Sequence, residues 1–424
     1  MMESQARKII NELIKNNYEG YFIGGYSRNT LHNLYHNDNL HIKDYDIVTN
    51  ARYEEVLKIF KDVEERGAMF KIAVVCLDGY EFEVAQYRKE SYPVGGSLRP
   101  NAVYNANNLS EDVMRRDFTM NGIAMTYDGE IIDHCNGVAD IKNKIIRTIG
   151  NPNERFAEDP LRMIRAFRFV SQLDYRIDPE TKQGIKKNLH LLDKIPHERI
   201  KNEVHKIFKG KAIRRALDEM KSAGVHKYYF MNSITGKPVH LFESFFKLKE
   251  DLYDSTICSL EYYRKIGMDI AETYYLLYRN VNYEVACKEM KNSMFLNEKD
   301  LERAMLMLKH KYIVINQDIN NICSLIKDVG EQRGEPYLRN LINSYAKFSN
   351  ANLKTLLDIL EKRKLFKYQL NINGNDILEY GKSLGLKPGK WVGEVLDRVQ
   401  ILSIHGEEYD IEDIMRRLMR NEIN

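Results

Sequence analysis

The amino-acid sequence predicts an α+β protein, with a mixed head of helices and strands followed by an all-α remainder. Three observations support this fold class. Short β-rich runs alternate with helical segments only up to about Gly150, and helix follows helix from Asp159 to the end of the chain. A chain of 424 residues is also too long for one small core, so we expect two to four units.

The head is predicted to begin with an amphipathic helix in the run MMESQARKIINELIKNN. Strands are predicted for the β-rich runs that follow, which are GYFIGG, DYDIVT, KIAVVCL, YEFEVAQY and EIIDH. Asp78 and Gly79 form a turn signal between two of these runs. The head is therefore expected to contain a mixed sheet.

The second part of the chain is predicted to be helical, in runs such as PLRMIRAFRFVSQL, RIKNEVHKIFKG, AIRRALDEMKSAG and WVGEVLDRVQILSIHG. Several of these runs end in a glycine, which is typical of a helix C-cap. Four apolar residues of the first run follow helical spacing, and we interpret them as core rather than as a cofactor site: Leu161, Ile164, Phe167 and Val170.

The composition excludes several classes of protein. The spacing of the cysteines matches neither a zinc ribbon nor a disulfide framework, which predicts reduced thiols in a cytoplasmic protein. These cysteines are Cys76, Cys135, Cys258, Cys287 and Cys323. No apolar run approaches the ~18 residues of a membrane span, so we expect no membrane partner. The formal net charge of +3 does not by itself indicate a nucleic-acid partner.

Two aspartates, Asp44 and Asp46, lie one residue apart in the run IKDYDIVTNA, about twenty residues after the double glycine Gly24–Gly25. In a strand their side chains share a face, with Cβ atoms roughly 7 Å apart. Two carboxylates so close favour bound cations, and oxygen ligands at the end of a strand suit Mg²⁺ held together with substrate phosphates. The sequence therefore predicts a magnesium and nucleotide site.

A third carboxylate is expected from the run YEFEVAQYR, a strand that would pair beside the aspartate strand. Glu83 and Glu81 face the same side of this strand, so alternation alone does not choose between them. An exposed strand glutamate without a catalytic role is the alternative. The run EDVMRRDFTMNGIAM places two arginines beside a carboxylate, a combination that is also common in surface ion pairs.

The run EDPLRMIRAFRF predicts a base-reading site. Pro160 suits the first turn of a helix, with Asp159 at its N-terminus and Arg162 one turn further on the same side. A carboxylate beside a guanidinium matches cytosine and adenine, which present an amino donor next to a ring-nitrogen acceptor. Guanine and uracil reverse both polarities, and each buried mismatch costs ~1–3 kcal/mol. An ordinary i,i+3 surface ion pair is the alternative.

Further charged residues follow on the same helix and in the next helical run. Arg165 and Arg168 continue a basic stripe that either reaches phosphates or is solvated. In the run HERIKNEV, we interpret Glu198, Arg199 and Glu203 as a charge network that stabilises its own helix.

The motifs occur in a fixed order, which is FIGGYSRN, DYDIVTNA, EVAQYR, EDVMRRDFTMN, DHCNGVADIKNKIIRTIG, EDPLRMIRAFRF and HERIKNEV. This ordered set resembles the class II CCA-adding tRNA nucleotidyltransferases, whose head is shared with bacterial poly(A) polymerase. The resemblance covers about the first half of the chain. The run INGNDILEYGKSLGLKPGKWVGEVLDRVQ is also similar to the tail of bacterial members.

The resemblance implies a polymerase-beta-like nucleotidyltransferase head over residues 1–150 and a helical neck over 151–210 that selects the base. It further implies a helical body over 211–330 and a helical tail over 331–424 that binds tRNA. The implied activity is addition of C, C and A to the tRNA 3′ end from CTP and ATP, by two-metal transfer without a nucleic-acid template. Body and tail would hold the acceptor arm through its shape and phosphates.

The resemblance also implies roles for single residues. Asp44 and Asp46 would bind Mg²⁺, and Glu83, which holds the family position in EVAQYR, becomes the third catalytic carboxylate. The Gly24–Gly25 turn would cradle the triphosphate together with Arg28. The other implied nucleotide-binding residues are Arg115, Arg116, Asp117, Asn121, Asp159, Arg162, Arg165 and Arg168, of which Asp159 and Arg162 would select the base.

The chain departs from the family pattern at several positions. The usual GGxVRD reads GGYSRN, with Ser27 and Asn29, and RRDFTxNA ends in Gly122. Asn29 is expected to loosen the orientation of an arginine or to tune the rate, without removing a metal ligand. The run RGAMFKIAVV lacks an HGT-like element. ESYPVGGSLRPNAV falls where the family has a flexible loop linked to adding the final A, and its glycines fit mobility.

Three other functions are compatible with parts of the sequence. One is an enzyme of the same fold with a narrower product, which is CC-adding, A-adding or poly(A)-polymerising. The second is an inactive RNA-binding relative, which the retained Asp44 and Asp46 argue against. The third is a nucleotidyltransferase that modifies a protein or a small molecule, for which the long helical half would be unnecessary.

Overall fold

The computed structural model describes residues 2–66, 72–92, 102–232, 235–311, 324–326, 328–329, 334–348, 372–405 and 410–419. The chain divides into two compact units, one formed by residues 1–264 with 288–295 and the other by residues 265–287 with 296–424. Three predicted features lie outside the described residues. They are most of the RGAMFK segment (67–71), the glycine-containing loop (93–101) and the glycine after WVGEVLDRVQILSIH (406).

The head contains a seven-stranded mixed sheet. The strands of the head are β1 (Gly20–Ile23), β2 (Ile47–Thr49), β3 (Val63–Arg66), β4 (Ile72–Leu77), β5 (Tyr80–Gln86), β6 (Arg88–Ser91), β7 (Ala102–Asn105), β8 (Ile123–Met125) and β9 (Ile131–Asp133). The sheet order is β3-β4-β5-β2-β1-β8-β9, and β6 pairs with β7 as a separate hairpin. Within the sheet β2 and β5 run parallel, whereas the other pairs are antiparallel. The predicted mixed sheet is confirmed.

The predicted turn joins β4 to β5. Asp78 and Gly79 both have positive φ, at 52° and 79°, and they connect the paired residues Leu77 and Tyr80. Positive φ at both central residues gives the tight hairpin turn whose twist matches that of the strands.

The strand predicted for the run DYDIVT is shorter than expected, because β2 begins only at Ile47. Asp44 and Asp46 therefore lie just before a strand rather than within it.

Most of the other elements of the first unit are helices. They are α1 (Met2–Lys15), α2 (Gly25–His36), α3 (Tyr53–Ile59), α4 (Leu109–Met114), α5 (Gly137–Lys142), α6 (Pro152–Glu158), α7 (Leu161–Leu173), α8 (Pro179–Asn188), α9 (His197–Lys209), α10 (Ile213–Ala223), α11 (Glu243–Phe246) and α12 (Glu250–Ile266). The first unit also contains two short strand pairs. β10 (Ile145–Ile146) pairs with β11 (Arg176–Ile177), and β12 (Tyr229–Met231) pairs with β13 (Pro238–His240).

Helix α7 is the central helix of the region that follows the head. The four apolar residues predicted to be core, Leu161, Ile164, Phe167 and Val170, are all buried. Its packing against α9 is close, since a Cβ atom at Gly210 would come within 2.2 Å of the Ser171 hydroxyl oxygen. The charged residues of α7 are consequently held in fixed positions by a rigid helix.

The glycines after α9 and α10 have different conformations. Gly224 ends α10 with φ +82°, as a left-handed C-cap requires. Gly210 is also the C-cap of α9, as predicted, but its backbone is extended, with φ −74°. The close approach to α7, rather than a left-handed conformation, accounts for glycine there.

The second unit is helical over its described residues. It contains α13 (Ile270–Tyr278), part of α14 (Tyr283–Ser293), α15 (Glu298–Lys309) and the helices Gly334–Lys347, Gly374–Ser383, Trp391–His405 and Ile411–Met419. The last three helices share a small core of Ile377, Val395, Val399, Ile414 and Met415. Glu272 is buried in this unit, where it accepts hydrogen bonds from Ser344 at 2.7 Å and Lys347 at 3.0 Å.

Two further expectations concern the membrane and the thiols. Within the part of the chain that the structure describes, no helix combines the length and apolar character needed to cross a bilayer. Four of the cysteines lie in the described residues, and each is a free thiol: Cys76, Cys135, Cys258 and Cys287.

Candidate active site

The double glycine forms the turn between β1 and α2. Gly24 has φ +70°, a conformation that L side chains rarely adopt, and α2 begins at Gly25 without a side-chain cap or an acidic residue in its first turn. A Cβ atom on Gly24 would lie 3.5 Å from Oδ2 of Asp46 and 3.9 Å from Nη1 of Arg116. The uncapped N-terminus of α2, which favours anions, therefore lies beside an aspartate and an arginine.

The strand register decides which glutamate lies beside Asp46. β2 and β5 are paired with Ile47 opposite Val84, so the residues that precede them, Asp46 and Glu83, are neighbours. The pairing of the glutamate strand beside the aspartate segment is as predicted, and Glu81 lies one repeat further away. Arg66 bridges both glutamates, donating from Nη1 to Glu83 at 3.0 Å and from Nη2 to Glu81 at 2.9 Å.

Asp46 has an unusual electrostatic environment. Burial, followed by the negative charge of Glu83 and, less strongly, that of Asp44, raises the pKa of Asp46 to about 6, although Arg116 and Arg28 oppose this rise. Like charges around a buried carboxylate destabilise its ionised form, and a bound cation would reverse this effect. A divalent cation beside Asp46 would therefore be stabilised by its ionised carboxylate.

No three histidine, cysteine, aspartate or glutamate side chains lie close enough together, among the described residues, to hold a metal ion by themselves. This does not conflict with a magnesium site, because Mg²⁺ usually takes only one or two protein carboxylates and completes its shell with water and substrate phosphates. Asp46, with its raised pKa, and the exposed Asp44 are the residues that could hold such an ion.

The two arginines of the RRDF motif are not surface ion pairs. Both bind the fully buried Asp112, with Arg115 donating from Nε at 2.9 Å and Arg116 from Nη2 at 2.9 Å. Burial acts to raise the pKa of Asp112, but the two guanidinium groups outweigh burial and leave this pKa below its ordinary value. Arg115 also donates to Glu90 at 3.1 Å. The carboxylates hold both arginines in place.

Asp117 organises a second group of cations. Its Oδ2 accepts from Nε of Arg165 at 2.9 Å, and its Oδ1 accepts from the Asn121 amide at 2.8 Å. Asn121 in turn accepts from Nη1 of Arg28 at 2.6 Å. Although Asp117 is buried, the Arg165 charge and these hydrogen bonds hold its pKa well below the usual range. One carboxylate thus positions an arginine of α2 and an arginine of α7.

Asp159 and Arg162 lie at the start of α7, but they do not pair with each other. Asp159 comes just before the helix, where its Oδ2 accepts from Arg199 at 3.1 Å. Arg162 donates from Nη1 to Glu158 at 3.0 Å and from Nη2 to the Arg115 carbonyl at 3.0 Å. The alternative of an i,i+3 surface ion pair is therefore wrong, and Arg162 is buried with its guanidinium fixed by neighbouring acceptors.

Phe169 supports three arginines of the site. The guanidinium carbons of Arg168, Arg28 and Arg165 lie 4.1, 5.1 and 5.6 Å from the centre of its ring. Burial first, and then the charge of Arg165, lowers the pKa of both Arg28 and Arg168 to about 10. A buried excess of positive charge of this kind is stabilised when a polyanion binds.

Arg199 and Glu203 have partners on other helices. Arg199 binds Asp159, and Glu203 is buried, where its Oε1 accepts from Nη1 of Arg168 at 3.2 Å. The predicted charge network within one helix is therefore only part of the arrangement, since Glu203 also pairs with Lys206 of its own helix at 3.7 Å. Packing of α9 against α7 brings their side chains to the cationic group.

These residues line one cavity of about 530 Å³, a size in the normal range for a small-ligand site. Its lining contains eight arginines but only four carboxylates, which favours a polyanionic ligand. The predicted residues that line it are Gly24, Gly25, Arg28, Asp46, Arg115, Arg116, Asp117, Asn121, Asp159, Arg162, Arg165 and Arg168. Asp44 and Glu83 lie outside this lining, and the charges of both act on Asp46.

Five lining residues were missed by the sequence analysis: Arg88, Glu90, Tyr92, Phe169 and Arg199. The first three alternate in sequence directly after the predicted strand YEFEVAQY, so period-two alternation was an available signal for a shared face. Glu90 accepts from Nε of Arg88 at 3.0 Å and from the Tyr92 hydroxyl at 2.8 Å. Phe169 follows Arg162 and Arg165 at i+7 and i+4 on α7, so helical spacing was its signal, whereas Arg199 had none because only packing of α9 brings it to the cavity.

Two departures from the family pattern have a structural explanation. Asn29 still orients Arg28, since its Oδ1 accepts from Nε of that arginine at 3.0 Å. Gly122 is tightly surrounded, and a Cβ atom there would lie 2.9 Å from Sγ of Cys135. Glycine at this position therefore fits the particular side chains that pack around it.

Comparison with known proteins places the chain in one family. Residues 20–147 match the family profile described as "Poly A polymerase head domain", and residues 174–232 match "Probable RNA and SrmB- binding site of polymerase A". The CCA-adding enzyme of Ligilactobacillus salivarius is 32% identical over 425 aligned positions, which cover 97% of this chain and 94% of the relative. The CCA-adding enzyme of Bacillus licheniformis is 29% identical, with 95% and 94% covered.

Solved structures agree with these relatives. The CCA-adding enzyme of Bacillus stearothermophilus in complex with CTP is 28% identical, with a TM-score of 0.69 and coverage of 99% of this chain and 98% of that one. The Thermotoga maritima CCA-adding enzyme complexed with tRNA shares the fold at 18% identity, with a TM-score of 0.59 and coverage of 99% and 95%. From the arginine-lined cavity, the matched head and the relative similar over nearly its full length, we conclude that this chain belongs to the family of CCA-adding enzymes.

Proposed function

We propose that this chain adds C, C and A to the 3′ end of tRNA, using CTP and ATP and releasing pyrophosphate, without a nucleic-acid template. The observation that carries this proposal is the single cavity in which Asp46 and the Gly24–Gly25 turn lie together with Asp159 and Arg162. A site for a triphosphate and a site for a base edge are thereby held in one rigid pocket.

The triphosphate would bind at the glycine turn. The uncapped amides at the start of α2 and the guanidinium of Arg28 offer donors to phosphate oxygens, and Arg116 lies beside Gly24. Asp117 and Asn121 would contact the sugar. They also fix Arg165 and Arg28 through hydrogen bonds. Such pre-organised cations stabilise charge as it develops on the phosphates.

Asp159 and Arg162 would select the base. The Asp159 carboxylate keeps acceptor capacity beyond its bond to Arg199, because an ionised carboxylate has about four lone-pair sites. Arg162 uses three of its five N–H groups on Glu158 and on the carbonyls of Arg155 and Arg115, which orients the remaining ones. A fixed acceptor beside a fixed donor fits C and A and rejects G and U.

Asp44 and Asp46 would hold Mg²⁺, with Glu83 as the third carboxylate of the catalytic set. When bound, the ions lower the pKa of the RNA 3′-hydroxyl and neutralise charge on the departing pyrophosphate. The protein would contribute position: the turn at Gly24 would bring the α-phosphate next to Asp46, and buried ion pairs hold the arginines in place.

The tRNA acceptor arm would be held by the helical part of the chain, divided as neck 151–210, body 211–330 and tail 331–424. Residues 174–232 contain 14 lysines and arginines but only 8 aspartates and glutamates, which suits phosphate contacts. A-form RNA is recognised mainly by shape and backbone, so a broad basic surface is sufficient. We also propose that the protein acts in the cytoplasm, as its free cysteines suggest.

A direct experiment supplies purified protein and Mg²⁺ with tRNA that ends at the discriminator base, together with CTP, ATP, both, GTP or UTP. We expect three added residues only when CTP and ATP are both present. Addition that stops after CC, or long A tracts on unrelated RNA, would instead identify a narrower enzyme of the same fold. Asp46→Ala is expected to abolish transfer, whereas Asp62→Ala, at an exposed aspartate of the head, is expected to leave it unchanged.

Base choice is tested by Arg162→Ala. We expect the preference for C and A over G and U to fall by about tenfold or more, because one fixed donor to the base edge is lost. Arg176→Ala is the matched control, since Arg176 is exposed and outside the cavity lining. An unchanged base preference in Arg162→Ala would contradict base reading by this pair.

A further inference from the structure

One face of α2 carries polar side chains instead of the apolar stripe expected of a packed helix. Asn29, His32, Asn33 and His36 occupy positions i, i+3, i+4 and i+7, which is the spacing of a single helical face. The first three contact residues of the chain segment that follows α2, whereas His36 binds the carbonyl of Ile141 at 2.8 Å. Asn29, His32 and Asn33 thus form a polar face of α2 that contacts this segment.

The two asparagines bind the backbone of this segment directly. The Asn29 amide donates to the carbonyl of His41 at 3.2 Å. The Asn33 amide makes two bonds to Leu40, donating to its carbonyl at 3.0 Å and accepting from its N–H at 2.7 Å. A side chain that satisfies both backbone groups of one residue fixes that residue as a strand partner would.

The histidine holds the start of the same segment. His32 is buried, and its Nε2 lies 3.0 Å from Oδ2 of Asp38, while its Nδ1 lies 2.8 Å from the Tyr175 hydroxyl. A carboxylate only accepts, so Nε2 carries the proton and Nδ1 accepts from the tyrosine. Lys211 donates to the same Asp38 oxygen at 2.5 Å.

The segment held in this way ends at the catalytic aspartates. Residues 37–46 contain no helix or strand, so neighbouring side chains must supply the order that a regular element would give. At the far end, the Asp46 carbonyl accepts from the Ile23 N–H at 3.1 Å, and the Tyr45 ring lies 5.1 Å from the ring of Tyr26. The segment is therefore held near both ends, and Asp44 lies between the contacts of His41 and those of Tyr45.

We propose that Asn29, His32 and Asn33 are positioning residues, which act through their contacts with residues 38–41 to hold Asp44 and Asp46 where they bind a divalent cation. This rests on the proposed function, because it takes the two aspartates as the metal ligands. Asn29 has a double role, since its Oδ1 also accepts from Arg28 and so ties the phosphate-binding arginine to the aspartate segment. A carboxylate at this position would accept from Arg28 but would have no donor for the His41 carbonyl.

The test compares full-length Asn33→Ala with Asn143→Ala, an exposed asparagine whose amide bonds only locally, to the carbonyl of Ala139. Binding of Mn²⁺ in the presence of CTP is measured by electron paramagnetic resonance, and backbone amide exchange is measured in peptides that cover residues 38–46. For Asn33→Ala we expect faster exchange in these peptides and about tenfold weaker Mn²⁺ binding. High Mg²⁺ is expected to restore the transfer rate, with the KM for CTP at saturating metal unchanged.

Two further variants exclude a general loss of folding. Asn33→Asp keeps the acceptor for the Leu40 N–H but has no donor, so we expect Mn²⁺ affinity between those of wild type and Asn33→Ala. Asn29→Asp is expected to keep the Arg28 contact and to weaken Mn²⁺ binding. Wild-type Mn²⁺ affinity in Asn33→Ala overturns the proposal, whatever the exchange rates are. Mn²⁺ and CTP binding without transfer to tRNA would instead refute the proposed function and leave the positioning role intact.

Discussion

Replacing Asp46 by asparagine is expected to stabilise the metal-free protein while abolishing its activity. The asparagine is nearly the same size as the aspartate but carries no charge, so it removes the repulsion from Glu83 and Asp44 and the cost of burying an ion. Residues selected for catalysis often reduce stability in this way. The perturbation therefore separates a carboxylate that serves the fold from one that serves a bound cation.

The magnitude follows from the raised pKa of Asp46. This pKa is about 6 in the folded chain, against an ordinary value of 3.8. A difference of about two units corresponds to about 3 kcal/mol. Because the folded carboxyl keeps its proton at pH values where the unfolded one has lost it, stability is lost as the pH rises from 3.8 through 6. Above pH 6 the penalty is complete, and Asp46→Asn is expected to avoid up to about 3 kcal/mol of it.

The assay is denaturant unfolding in EDTA at several pH values between 4 and 7.5. We expect Asp46→Asn to have the higher free energy of unfolding at pH 7.5, with a difference that shrinks as the pH falls from 6 to 4. Asp62→Asn, at an exposed position of the head, is the matched control and is expected to show no such pH dependence. Equal or lower stability of Asp46→Asn at pH 7.5, or a difference independent of pH, would refute this reasoning.

Three other expectations follow from single contacts. Gly24→Ala strains a residue at φ +70° beside Asp46, so steady-state kinetics with CTP are expected to show a kcat/KM at least tenfold lower; wild-type kinetics would contradict this. Phe169→Leu removes the aromatic ring that three guanidinium groups contact, so we expect calorimetry to show weaker CTP binding. The melting temperature is expected to change by no more than a few degrees, and unchanged CTP affinity would contradict this prediction. Glu272→Ala removes the buried carboxylate that binds Ser344 and Lys347 and that lies 3.8 Å from Arg303. A loss of about 3–5 kcal/mol in the free energy of unfolding with unchanged CTP affinity is expected; a neutral effect on unfolding would be inconsistent with this buried network.

Local patterns were sufficient to predict much of the head. The turn at Asp78 and Gly79 depends only on its own residues. In the helix after the head, helical spacing correctly predicted Ile164 and Phe167 as core, although nearly all of α7 is buried. The choice between Glu81 and Glu83 could not be made from local patterns. Both face the same side of β5, and only the register of β5 on β2, which is a long-range property, brings Glu83 next to Asp46.

The partners of charged side chains were the least predictable feature. Arg199 and Glu203 are four residues apart on one helix, the spacing of a local ion pair, yet each binds a residue at or near α7. Helix packing places such partners within reach, and a buried charge such as Glu203 must be paired because an unpaired buried charge is costly. Sequence spacing reports the helical face of a residue but not the opposing helix.

The most direct test of the proposed activity is transfer to a defined tRNA. A tRNA lacking its 3′ CCA is incubated with the protein, Mg²⁺, CTP and ATP, and the products are sequenced. The cavity that joins the Asp46 site to Asp159 and Arg162 predicts one product, extended by C, C and A in that order, and no product with GTP or UTP. Incorporation of G or U, or A tracts added to RNA that is not tRNA, would contradict it.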